Sequence, residues 1–180
     1  MRSELLIGCG NDRTKKIYMD EATREWSNLV TMDMDPNCGA DHLWDLNQTP
    51  WPLEDNTFDE VHAYDVLEHL GRQGDFVSFF SNFSELYRVL KPGGLLICST
   101  PSLTSRWLWG DPGHTRYVGP ESLVFLDQTQ YTKQVGKSQM TDYRHVWKGD
   151  FDVVDINDDG DDFQFILEAI KPSRIDPKYK

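Results

Sequence analysis

Short apolar runs alternate with amphipathic stretches through the first hundred residues. Glu4-Leu5-Leu6-Ile7 reads as a buried strand that ends at a glycine turn, and Leu29-Val30-Thr31-Met32 as a second strand ending at Asp33. Between them, Met19, Ala22 and Trp26 fall at helical spacing, which predicts a helix within Lys15 to Trp26. Asp59 to Tyr64 and Leu95 to Ser99 are two further strands. They flank the clearest periodic stretch, Phe76 to Leu90, where Phe76, Phe79, Phe80, Phe83, Leu86, Tyr87 and Leu90 share one broad face. Lys91-Pro92-Gly93-Gly94 stops that helix, because proline cannot continue it and glycine tolerates the turn. Strands and helices alternating at short intervals predict an α/β fold, a mostly parallel sheet with helices on both faces. From Pro101 to Gly149 the rhythm breaks, with one helix expected around Pro120 to Asp127. Phe151 to Ile156 and Phe163 to Ile170 then form a terminal antiparallel hairpin about an acidic turn. Residues 1–172 are expected to make a single domain, 102–149 its irregular substrate-side insertion, and 173–180 a loose tail.

Composition narrows the class. The chain has 180 residues, 38% hydrophobic and 27% charged, enough for one core and too apolar for a disordered chain. No apolar run approaches the roughly 20 residues that span a bilayer, and the first ten residues are too quickly broken for a signal peptide. Lys and Arg number 18 against 30 Asp and Glu, a net charge of −12. Such a surface repels phosphate backbones, so nucleic acid is a disfavoured partner. Cys9, Cys38 and Cys98 form neither a metal-ligand spacing nor a disulfide framework, which points to the reducing cytoplasm.

The candidate chemistry begins at Gly8-Cys9-Gly10-Asn11, directly after the first strand. Side-chain-free positions let backbone N–H groups approach a ligand closely. Arg13 stands where the dinucleotide fingerprint needs its third glycine, and there is no G-K-[ST] of a P-loop. About twenty residues beyond Gly10, Asp33 ends the second strand, the offset at which a carboxylate accepts hydrogen bonds from ribose hydroxyls. Read singly, these are an ordinary turn and a surface aspartate. Read together, they lie at the carboxyl ends of adjacent strands, where such sheets bind ligands. Asp45-Leu46 and the strand end Tyr64-Asp65 add further acids and an apolar wall, a set able to enclose a nucleoside.

These residues carry a resemblance. Glu4 to Gly10, Thr31 to Pro36, Trp51 to Val61 running into Leu67-Glu68-His69-Leu70, and Glu85 to Gly94 resemble, in order, the motifs of small class I, S-adenosylmethionine-dependent methyltransferases of the type 11 kind. The resemblance covers roughly residues 4 to 100. It implies a doubly wound, seven-stranded Rossmann-like sheet, S-adenosyl-L-methionine as cofactor and S-adenosyl-L-homocysteine as product. It also implies site residues: Gly8, Cys9 and Gly10 facing the methionine portion, Asp33 on the ribose, Met34 flanking adenine, Asp45 with Leu46 at the adenine amino group, and Asp65 near the methionine amino group. Asp12 departs from the family's small residue and is expected to repel the cofactor carboxylate unless it points outward. An upstream covering helix is also expected in the family. Its absence here implies either a more open pocket or cover by a second copy, a homodimer.

Methyl transfer from a sulfonium mainly asks the protein to position the nucleophile and exclude water, and no metal is required. His69, after the Asp59–Tyr64 strand, and His114, in Asp111-Pro112-Gly113-His114-Thr115-Arg116-Tyr117, are the candidate bases. The alternative for His69 is a helix-end histidine holding backbone groups, and for His114 a hydrogen bond that fixes its loop. Arg116 is placed to bind a substrate carboxylate or phosphate, with a salt bridge as the alternative. Tyr117 and Trp107 are candidates for an aromatic substrate wall, whereas Trp147 is expected to pack the core. Asp155 to Asp162 imitates the start of an EF-hand loop, but Ile166 replaces its twelfth-position glutamate and strands flank it, so a solvated hairpin turn is expected. The leading expectation is a methyltransferase acting on a small-molecule acceptor. The alternatives are a non-catalytic S-adenosylmethionine-binding module acting through partners, and a nicotinamide oxidoreductase.

Overall fold

A computed structural model of the chain describes residues 1–179. Seven strands form one sheet: β1 (Ser3–Ile7), β2 (Asn28–Asp33), β3 (His42–Leu43), β4 (Phe58–Tyr64), β5 (Leu90–Pro101), β6 (Phe151–Asp158) and β7 (Asp162–Ala169). Their order is β3-β2-β1-β4-β5-β7-β6, parallel from β3 to β5 and antiparallel across β5-β7-β6. The order reverses between β1 and β4, so a switch point opens at the carboxyl ends of those two strands. β3 has two residues, too few to leave a periodic signal in the sequence.

The two faces of the sheet are built differently. Leu5, Ile7, Met32, Val61, Ala63, Leu96 and Cys98 point to one side and meet α1 (Phe76–Val89) in the main core. Asp75 caps α1 by accepting the Ser78 N–H at 3.1 Å, and Phe80, Phe83, Leu86 and Val89 bury its inner face. Trp147 is fully buried against Phe80 and Phe151, as expected, and its indole donates to the Leu126 carbonyl at 3.1 Å. The opposite side carries a smaller cluster of Leu6, Cys9, Cys38 and Tyr64, joined by Ile17, Trp26 and Leu29.

The helix expected within Lys15 to Trp26 is absent; one 3-10 turn, Glu21–Thr23, is all that coils there. Tertiary partners hold the segment open. Lys15, 7% exposed, donates to Glu4 Oε1 at 2.6 Å and to Glu60 Oε2 at 2.7 Å, two carboxylates buried on neighbouring strands. The Trp26 indole donates to the Arg13 carbonyl at 2.5 Å, and the Ile17 N–H donates to the Tyr64 hydroxyl at 3.3 Å. Met19, placed inward by helical spacing, is exposed. Irregular chain thus stands on this face where a helix was expected.

Other boundaries shift for local reasons. α1 ends at Val89, but β5 begins at Leu90, so Lys91 to Gly94 run inside extended chain, with Gly93 at φ +75° beside the register shift opposite β4. The 102–149 segment holds three short helices rather than one: α2 (Trp107–Gly110), α3 (Pro120–Leu123) and α4 (Gln128–Gln134). α4 buries only Gln128 and Tyr131, so it has no apolar period to read. Of the tail expected to be loose, residues 173–179 are described and are tied down, while 180 lies outside the described residues. Arg174 pairs with Asp150 and Asp152 at 2.6 Å each, Ile175 is buried, and the Tyr179 hydroxyl donates to Asp142 at 2.7 Å. No helix among the described residues is long and apolar enough to cross a membrane.

Candidate active site

The glycine turn closes over the switch point. Gly8 sits at φ +60°, and a Cβ there would lie 2.3 Å from Val66 Cγ2, so only glycine fits. Gly10, at φ +47°, has open space where a Cβ would point. The Gly10 N–H donates to Asp33 Oδ2 at 2.8 Å, and the Asp35 N–H to Asp33 Oδ1 at 2.8 Å. The turn and the β2 carboxylate therefore meet, and each carboxylate oxygen keeps a further lone pair for a ligand hydroxyl. Arg13 locks this arrangement by donating to the Gly10 carbonyl at 2.6 Å and the Cys38 carbonyl at 2.7 Å. Cys9 is buried beside Cys38, and its burial pushes the thiol up to about 11. Met34 projects into solvent beside Asp33. Asp12 is exposed and accepts the Thr14 N–H at 2.8 Å, so its carboxylate is occupied in an outward turn.

The neighbouring strand ends follow. The Trp44 N–H donates to the Asp33 carbonyl at 2.8 Å and so brings the end of β3 against that of β2. Asp45, next in the chain, accepts the Asn47 N–H at 2.9 Å. Leu46 is buried in the main core. Asn47 in turn accepts the Gly71 N–H at 2.9 Å, linking this loop to the chain beyond β4. Asp65, at the end of β4, adopts φ +56°, a strained left-handed conformation for a residue with a side chain. Its N–H donates to the Ser99 carbonyl at 3.0 Å, which pins it between β4 and β5.

Beyond Asp65 lies a cavity of about 670 Å³. Asp65, Glu68, Asp111, Asp161 and Asp162 bring five carboxylates to its wall, against the single cation of Arg106. The acidic hairpin turn expected to be purely solvated thus contributes two of them, and burial raises the Asp162 carboxyl. The Leu67–His69 turn buries Glu68 completely, and among the described residues neither of its carboxylate oxygens has a hydrogen-bond partner. Burial, helped by the like charges of Asp65, Asp162 and Asp111, pushes Glu68 up to about 8. His114 Nε2 lies 3.9 Å from Glu68 Oε1, and the His69 and His114 rings meet edge to face with centroids 4.6 Å apart. The two histidines read separately in the sequence therefore share one site. Glu68, between Leu67 and His69, had no assigned role, because only burial sets it apart from the other acids.

The remaining sequence candidates divide. Trp107 is exposed at the cavity rim, with the Arg106 guanidinium 4.9 Å over its ring. Arg116 is buried and makes no salt bridge; its Nη2 donates to the Arg72 and Asp75 carbonyls at 2.9 and 3.2 Å, stapling the loop before α1. Tyr117 faces a second, aromatic cavity of about 420 Å³ beside Phe76, Phe79 and Tyr143.

A family model described as "Methyltransferase domain" matches residues 5–98, from β1 to β5. The chain belongs to the S-adenosylmethionine-dependent methyltransferase family. A curated relative from Mycolicibacterium smegmatis, named "Probable S-adenosylmethionine-dependent methyltransferase", is 37% identical over 143 residues, covering 71% of this chain and 51% of the relative. The chain thus spans about half the length of that methyltransferase. Among solved structures, a SAM-dependent methyltransferase from Archaeoglobus fulgidus superposes with a TM-score of 0.57 at 17% identity, covering 93% of this chain and 86% of the other. The N-methyltransferase NodS from Bradyrhizobium japonicum, in complex with S-adenosyl-L-homocysteine, superposes at 0.56 and 16%, covering 93% and 78%. At such identities the likeness is one of fold. The matched methyltransferase region contains the glycine turn, Asp33, Asp45, Asp65, Glu68 and His69, while His114, Arg116 and Tyr117 lie beyond it. The residues present fit the family's cofactor in kind: the glycine turn, the Asp33 carboxylate with lone pairs to spare and the acid-lined cavity beside Asp65 follow the carboxyl ends of the neighbouring strands β1, β2 and β4.

Proposed function

We propose that this chain binds S-adenosylmethionine across the β1/β4 switch point and transfers its methyl group to a small-molecule acceptor held in the acidic cavity. The observation that carries the reading is the Gly10 N–H bonded to Asp33 at 2.8 Å, which brings the glycine turn and the carboxylate at the end of β2 together. Asp33 takes the ribose hydroxyls, Met34 flanks the adenine and Asp45 takes its amino group. Gly8, Cys9 and Gly10 lay main chain along the methionine portion, and Asp65 meets its amino group. When bound, the cofactor supplies a methyl group on a positively charged sulfur, a good leaving group. The carboxylates of Asp65, Asp161 and Asp162 favour that positive charge at the cavity. Trp107, at the rim of the acidic cavity, is the aromatic surface offered to an acceptor there, whereas Tyr117 lines the other cavity; His114, on the acidic cavity's wall, and His69, against its ring, are the bases for the acceptor's proton in this reading. Arg116 serves as a staple for the loop rather than as an acceptor ligand. The buried Glu68–His114 contact supports catalysis over silent cofactor binding, since a mere binding module has no use for a desolvated acid beside an imidazole. Three free, buried cysteines support a reducing, cytoplasmic setting.

The test is binding of S-adenosylhomocysteine, followed by calorimetry and thermal melting. At 100 times its dissociation constant it should add about 2.7 kcal/mol, raising the melting point by roughly 5–10 °C. Asp33→Asn should weaken binding by about 1.5–3 kcal/mol, the worth of hydrogen bonds to a charged group. Absence of binding at millimolar ligand, or full affinity in Asp33→Asn, refutes the reading.

A further inference from the structure

We propose that Glu68, His69 and His114 form a binding site for a divalent transition-metal ion at the acceptor end of the pocket. The three side chains offer donor atoms that all lie within 4.8 Å of one another, close enough to share one ion. Both oxygens of Glu68 are buried without a partner, and a cation is the group that would satisfy them. The imidazoles are arranged as ligands commonly are. His69 Nδ1 lies 3.1 Å from the Gly113 carbonyl and His114 Nδ1 3.1 Å from the Leu108 carbonyl. Donating Nδ1–H to a carbonyl fixes each ring and leaves Nε2 with its lone pair, the outer-shell pattern of metal-binding histidines. The donors come from two loops that are cross-linked, because the Thr115 N–H donates to the Glu68 carbonyl at 2.8 Å. The site is therefore assembled before an ion arrives.

Two other clusters show by contrast what a site of this kind requires. Glu4, Glu60 and His62 are also within reach of one another, but the Lys15 ammonium already fills the space between the acids. Cys9, Asp33 and Cys38 are close too, yet both Asp33 oxygens accept backbone N–H groups. Only at Glu68 is the carboxylate left without a partner. Two imidazoles and one carboxylate suit Zn²⁺, Mn²⁺, Fe²⁺ or Co²⁺ better than Mg²⁺ or Ca²⁺, which favour oxygen alone. Three protein ligands leave positions open toward the cavity, where an oxygen donor of the acceptor would complete the shell. That last step, an acceptor bearing a hydroxyl or carboxylate, rests on the methyltransferase reading, whereas the metal site does not. With an ion bound, His69 and His114 are ligands and not free bases.

The test uses the whole chain, stripped with chelator and titrated with Zn²⁺ by calorimetry and with Co²⁺ by visible absorption. One ion should bind per chain, with ligand-field bands of mixed nitrogen and oxygen donors. Glu68→Gln and His114→Gln should each weaken binding by about 100-fold or more, whereas the exposed His145→Gln should leave it unchanged. Melting curves of each variant confirm that it is folded, and His69→Gln supplies a third ligand variant should one of the others fail to fold. S-adenosylhomocysteine is titrated in parallel. Metal binding without nucleoside binding overturns the function reading and leaves the site standing. Nucleoside binding without metal binding overturns the site alone. Zn²⁺ binding that survives Glu68→Gln, or no stoichiometric binding at all, also overturns it and leaves Glu68 as a protonated partner of His114.

Discussion

Replacing Lys15 with methionine should remove a large part of the fold's stability. The Lys15 side chain is 1% exposed and is the ammonium shared by Glu4, 0% exposed, and Glu60, 5% exposed. Methionine fills similar volume, so the change is mainly one of charge. Glu4 would keep the Ser27 N–H at 2.5 Å, and Glu60 would keep Arg2 at 3.1 Å and His62 at 3.0 Å. Those partners do not replace an ammonium held between both acids. Removing one member of a buried ionic cluster costs about 3–5 kcal/mol; the remaining partners argue for about 3. Set against a total of about 5–15 kcal/mol, that is a large fraction. Urea unfolding at pH 7, followed by far-ultraviolet circular dichroism, measures it. With a slope of about 2 kcal/mol/M, the midpoint should fall by about 1.5 M. Lys15→Met/Glu60→Gln, which removes one of the stranded charges, should recover part of the loss. The folded variant should still bind S-adenosylhomocysteine, because Arg13 and Asp33 hold the glycine turn independently of Lys15. A loss under 1 kcal/mol, or no recovery in the double variant, would refute the reasoning.

Two further predictions rest on other parts of the fold. Gly8→Ala should cost about 1–2 kcal/mol for its left-handed backbone and about 1–3 more for the overlap with Val66. Val66→Ala in the same chain should relieve only the second part, and a double-mutant cycle without coupling would exclude that contact. The Glu60 carboxyl is drawn down to about 2 because the bonds from His62 and Lys15 outweigh its burial. Its folded value lies below the ordinary 4.5, so its contribution is whole above pH 4.5 and drains away as pH falls toward 2. That window is worth about 3 kcal/mol. Asp41, Asp59 and Asp142 are shifted in the same direction, so the comparison is with Glu60→Gln, whose acid limb should be shallower by that amount. Parallel acid limbs in the two proteins would contradict it.

What was legible and what was not follows from the range of the forces involved. α1 could be read because Phe80, Phe83, Leu86 and Val89 recur with the helical period, and the hairpin because its strands flank a polar turn. The Gly10–Asp33 pair could be placed because the chain itself carries both to the ends of adjacent strands. Lys15 to Trp26 misled for the opposite reason. Its helical spacing is a weak local preference, overridden by a buried ammonium bonded to two other strands.

By itself, then, the sequence determined the strand order's raw material, the main helix, the bare turn and the acid at the second strand end, all set by periodicity and near-neighbour geometry. The tertiary structure alone decided which face lacks helical cover, that residues 174–179 are held down through Arg174 and Tyr179, and that Glu68 has no hydrogen-bond partner among the described residues beside two histidines. Desolvation and ion pairing between residues distant in the chain leave no mark on local pattern. They arise only when folding brings the groups together and excludes water from between them.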